Sequence, residues 1–123
     1  MIAPSFDHAS SLGRELVDES TGKCRARILK DKRISQYAEN APGAIYWDEG
    51  DKRAISPLDL VRRAVAGHTD LFRHAFASLD KLEKETLERI VEKVPPGWMS
   101  GVARQFVMEL MCYNLKQLKE IAP

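Results

Sequence analysis

A chain of 123 residues has room for one modest core, and 19 Lys plus Arg against 18 Asp plus Glu leave a net charge of +1. That balance supplies no whole-molecule field to draw in nucleic acid or an anionic membrane. No apolar run approaches the roughly 18 residues needed to span a bilayer, and residues 1–20 lack the pattern of a secretory signal.

The chain starts "MIAPSFDHASSLG", with an acid, an imidazole and two hydroxyls close together. Ser10 or Ser11 can cap a short helix through Leu12, Leu16 and Val17. "DESTGK" then reads as a loop, and Ile28, Leu29 and Tyr37 predict a helix between about Arg25 and Glu39. The turn-rich stretch over 41–55 reads as a long loop that holds Tyr46 and Trp47 among acids, with the aromatics anchoring it.

Ser56-Pro57-Leu58-Asp59 is an N-cap, a proline at the first helical position and an acid in the first turn. Leu58, Val61, Ala64 and Val65 form one face of that helix, and Gly67 suits a left-handed stop. Leu71, Phe72, Ala75, Phe76 and Leu79 repeat at three and four and predict a strongly apolar face. Asp80 is placed to cap the next helix, whose stripe is Leu87, Ile90, Val91 and Val94 and whose charged face offers a Glu85–Arg89 pair.

"VPPGWMSG" stops that helix and turns the chain, with Trp98 and Met99 expected as wedges between helices. Ser100 caps a last helix from about Val102 to Ile121, with Ala103, Phe106, Val107, Leu110, Met111, Leu118 and Ile121 inward. Arg104, Glu109, Lys116 and Lys119 are assigned to water. Sustained alternation of the kind a half-buried strand requires is missing throughout. The expected fold is all-α, a bundle of about five or six helices in one domain over residues 1–123. Within it, residues 1–20 form the first segment, 41–55 the loop and 56–121 the bundle.

Several chemistries are excluded by spacing. Asp7, His8 and the following serines are sequence neighbours, whereas a hydrolase triad converges from separate parts of a fold, and no G-x-S-x-G elbow occurs. His8, His68 and His74 do not make a zinc site, and no glycine-rich phosphate loop is present. The only cysteines, Cys24 and Cys112, lie far apart without metal-ligand spacing, which predicts free thiols and a cytoplasmic, bacterial-type setting. A helix-turn-helix reading would send Lys81–Val94 to DNA, but Glu83, Glu85, Glu88 and Glu92 would repel phosphates. Direct nucleic-acid contact is therefore not expected.

As a block, "APSFDHASSLGREL" resembles the segment that follows the catalytic loop in HipA-like serine/threonine kinases. "SPLDLV" and "VPPGWMSGVARQFVMELMCYNLKQL" are similar to the C-terminal helical region of the same family. The resemblance implies that the bundle corresponds to that C-terminal subdomain. It also implies that Asp7 does the work of the kinase metal-holding Asp, helping to bind Mg²⁺ that bridges the ATP phosphates. His8 receives no catalytic role from it, and Ser10 and Ser11 remain caps.

The family's phosphate-gripping loop, nucleotide-contacting lysine and catalytic loop lie upstream of the matched block, and only six residues precede Asp7. Phosphoryl transfer needs substrate, metal and base positioned together, so one conditional Mg²⁺ ligand is not expected to make the isolated chain a kinase. No catalytic or cofactor-binding residue is assigned to it; Mg²⁺ and ATP belong to a complete kinase. Three situations fit: a C-terminal piece of a longer kinase, a truncated paralogue serving as a binding module, or half of a split kinase. The last two predict exposed apolar surface and, as partner, a second copy or a separate N-terminal lobe, with Phe6, Tyr46 and Trp47 as candidate contacts. The reading from another class is a nucleic-acid-associated helical domain of a toxin–antitoxin system.

Overall fold

The computed structural model describes residues 12–123. Among them are six α-helices and no strand: α1 Arg25–Lys30, α2 Ile34–Glu39, α3 Pro57–Gly67, α4 Thr69–Leu79, α5 Lys84–Glu92 and α6 Gly101–Ile121. The fold is all-α, as composition and periodicity led one to expect.

Two serine caps set the frame. Ser56 Oγ accepts the Asp59 N–H at 3.3 Å and Ser100 Oγ accepts the Ala103 N–H at 3.0 Å, each satisfying a helix-start amide that has no intrahelical partner. From Ser100 the 21 residues of α6 run roughly 31 Å at 1.5 Å per residue, and all five other helices pack on it. Phe106 is 0% exposed at the centre. Around it sit Leu16, Ile28, Ile34, Ala38, Leu58 and Leu110, with Leu29, Tyr37 and Tyr113 closing the edge. The Tyr37 ring meets Phe106 edge-on, centroids 5.2 Å apart.

The first half departs from the sequence reading. The helix expected through Leu12, Leu16 and Val17 is a turn, because Leu12 and Gly13 both hold left-handed backbone at φ 59° and 73°. Ser10 and Ser11, its expected caps, lie outside the described residues. The single helix expected over Arg25–Glu39 is instead two helices, α1 and α2, joined through Lys32 at φ 53°. On a straight helix Ile28 and Ile34 would face about 120° apart at 100° per residue. The break resets that phase, so both are buried with Ala38 in one core.

Further corrections concern α3 to α6 and the turns between them. Of the expected α4 face only Phe76 is buried, while Leu71 is 79% exposed. Gly67 is not left-handed: α3 closes on His68, which also begins α4, leaving no room for a left-handed turn. Asp80 ends α4 rather than capping α5; Lys81 and Leu82 intervene, and Glu83 precedes the helix. In α5 Leu87 and Val91 are buried but Ile90 is exposed, and the i,i+4 ion pair that forms is Lys84–Glu88 at 3.3 Å. Trp98 is no wedge, being 82% exposed, whereas Met99 is half-buried. Arg104 leaves the water-facing set and donates to the Val91 carbonyl, tying α6 to the end of α5.

Cys24 is buried, Cys112 partly so, and both are free thiols. Among the described residues no helix is long and apolar enough to cross a membrane.

Candidate functional site

Asp7, the one residue to which a metal role attaches, lies outside the described residues, as do Phe6 and His8. What the structure gives is the frame into which that segment leads. Gly13 sits so close to the core that a Cβ there would fall 2.6 Å from Phe106 Cε1, and its backbone is left-handed, so glycine is required twice over. Its carbonyl accepts from the Leu16 N–H at 3.0 Å and from Arg25 Nη2 at 3.0 Å. Arg25 also pairs with Asp18 at 2.8 Å, so one largely buried guanidinium fixes the segment at two points.

Glu15 accepts the Tyr37 hydroxyl. Burial would raise the Glu15 carboxyl, but that hydrogen bond and the nearby Lys23 and Arg25 charges bring it below its ordinary value. Burial first, and then the Glu15 contact, push the Tyr37 phenol up. The segment leaving the N-terminal block is thus held onto α1 and α2 by charge-assisted hydrogen bonds, not by a helix of its own.

Residues 41–55 carry no helix or strand, as expected of a loop, yet their ends are stapled. The Ile55 N–H donates to the Ile45 carbonyl at 2.8 Å, and Asp51 Oδ2 accepts the N–H groups of Trp47 and Asp48 at 3.2 and 3.0 Å. Gly43 passes against the Ile55 carbonyl where a side chain has no room. The Arg63 guanidinium lies 5.6 Å from the centre of the Trp47 ring. The aromatics do not anchor the loop in the core: Ile45 is 53%, Tyr46 58% and Trp47 42% exposed. Leu12 and Val17 are exposed as well, so the irregular first half presents large apolar side chains outward.

A polar hub unforeseen in the sequence joins this half to the bundle. Arg62 on α3 donates to both Glu39 oxygens at 2.7 and 2.8 Å, to Asp59 at 2.9 Å and to Gln117 at 2.8 Å, and the Tyr113 hydroxyl donates to Glu39 at 2.8 Å. Only the Asp59–Arg62 contact, at i,i+3, is a spacing visible in sequence; the other partners are 23 to 74 residues apart. Among the described residues no group of three or more His, Cys, Asp or Glu is placed to hold a metal ion. No protein-family model, curated protein or solved structure matches the chain.

Proposed function

We propose that the chain is the C-terminal helical module of a HipA-like serine/threonine kinase, working by packing against a nucleotide-binding lobe supplied by another segment or chain, and inactive by itself. What supports this reading is the resemblance of the "APSFDHASSLGREL", "SPLDLV" and "VPPGWMSGVARQFVMELMCYNLKQL" blocks to that family. The observation that carries the docking role is the exposure of Leu12, Val17, Ile45, Tyr46 and Trp47 on rigidly stapled, non-helical segments of the half that continues from Asp7. Five of the eight exposed large hydrophobic side chains among the described residues lie in this half, and exposed apolar surface marks an interaction site where it gathers. In the assembled kinase Asp7 would ligate Mg²⁺ on the ATP phosphates, as one of the one or two carboxylates such a site uses.

Calorimetry with Mg·ATP tests this. The isolated chain is expected not to bind. A complex with a HipA-like N-terminal kinase lobe is expected to bind, and to lose binding with Asp7→Ala. Tyr46→Ser with Trp47→Ser is expected to abolish the complex while leaving the helical circular dichroism intact. Tight Mg·ATP binding by the chain alone would overturn the reading, and steeply salt-dependent DNA binding would favour the toxin–antitoxin alternative.

A further inference from the structure

Within a nearly neutral chain the run "KCRARILKDKR", residues 23–33, holds six cations against the single acid Asp31. Arg25 is consumed by Asp18 and the Gly13 carbonyl. The other five, Lys23, Arg27, Lys30, Lys32 and Arg33, make no ion pair among the described residues. Crowded on and around the six-residue α1, these like charges repel one another, and among the described residues only Asp31 within the run and Glu15 beside Lys23 offset them.

Three of these cations share one cleft. Lys23, Arg27 and Arg33 line a cleft of about 650 Å³ beside α1 and α2, together with Gln36, Tyr37 and Asn40. That volume lies within the range of small-molecule sites. Arg33 Nε donates to Gln36 Oε1 at 2.6 Å, which fixes the guanidinium and leaves its two outer nitrogens for a ligand. Lys23 Nζ stands 4.8 Å from the centre of the Tyr37 ring. Two carboxylates also reach the wall: Glu15, already answered by the Tyr37 hydroxyl, and Asp31.

We propose that this cleft binds a small, multiply charged phosphate compound the size of a phosphorylated metabolite. Two guanidinium forks and an ammonium match phosphate oxygens, and the bound charge would remove the repulsion among the three cations. The Glu15 and Asp31 carboxylates disfavour a long polyanion laid across the cleft and favour a compact one held between the arginines. This site is independent of the docking role proposed above and stands or falls without it.

Pyrophosphate is the probe, titrated by calorimetry at low salt into the full chain. Saturable one-to-one binding is expected, weakened at least tenfold by Arg27→Gln with Arg33→Gln. Lys23→Gln alone should weaken it severalfold, which keeps the test open if the double variant misfolds. Asp31→Asn should tighten binding, since it removes an opposing charge, and Lys93→Gln on the far end of α5 should leave it unchanged. Absence of saturable binding, or equal losses in the Lys93 variant, would overturn the proposal. So would a single-stranded oligonucleotide that binds this surface and is not displaced by saturating pyrophosphate.

Discussion

Arg62 grips both oxygens of the Glu39 carboxylate, at 2.7 and 2.8 Å, and so locks the end of α2 to the first turns of α3. Tyr113 and Gln117 bring α6 to the same point. Arg62→Ala leaves the Glu39 carboxylate with the Tyr113 hydroxyl alone. It is expected to cost about 1–3 kcal/mol, trimmed by the partial solvation of both groups. Urea denaturation followed by circular dichroism measures it; an unchanged midpoint would remove the hub from the account of stability.

The same pair sets an acid limit. Hydrogen bonding from Arg62, opposed by burial and helped by Tyr113, holds Glu39 at about 2, below its ordinary 4.5. The folded state therefore binds fewer protons at this site than the unfolded state does. Its stabilising contribution is complete above about pH 4.5 and is lost as the pH falls toward about 2. Wild type should lose more stability than Glu39→Gln between neutral pH and about pH 3. Parallel pH profiles for the two proteins would contradict this.

Gly13→Ala forces a Cβ to 2.6 Å from Phe106 Cε1 and strains a left-handed backbone. The expected loss is about 1–3 kcal/mol, and the near-ultraviolet dichroism of the Tyr37–Phe106 contact should weaken with it. Lys32→Gly is the converse case, because Lys32 holds φ 53° without the freedom of glycine. It should be neutral or gain up to about 1 kcal/mol, since relief of strain competes with added freedom in the unfolded chain.

Ser56→Ala and Ser100→Ala each remove a cap and should cost about 1 kcal/mol. The two caps serve different helices, so the double variant should show the sum to within about 0.5 kcal/mol. Trp98→Ala should change stability by no more than about 0.5 kcal/mol, because the ring is 82% exposed. A loss of several kcal/mol would return Trp98 to the core.

The helices legible in sequence are those whose signals are local. Ser56-Pro57 and Ser100 declare where α3 and α6 begin, and Phe106, Val107 and Leu110 keep a helical period for a long stretch. The short α1 and α2 lie too close in sequence for a break to announce itself, and only the phase slip between Ile28 and Ile34, six residues apart yet buried in one core, marks it. Leu71 and Trp98 misled for the opposite reason: hydrophobicity states a preference for burial, while the available partner surface decides whether burial happens. At the candidate site, the Arg62 hub joins residues up to 74 positions apart and leaves no local pattern to read. The basic run over 23–33 was in plain view, but averaging charge over the whole chain hid it.

The reliance of every other helix on α6 has a temporal side. Phe106, the centre of the core, is translated after α1, α2 and α3, whose Ile28, Ile34, Ala38 and Leu58 pack around it, so none of the three can complete its packing while synthesis is still short of Gly101–Ile121. The nascent chain must carry Ile28, Ile34, Ala38 and Leu58 uncovered until that stretch clears the ribosome. A message broken before it would release a product with no core, and proteolysis would remove it.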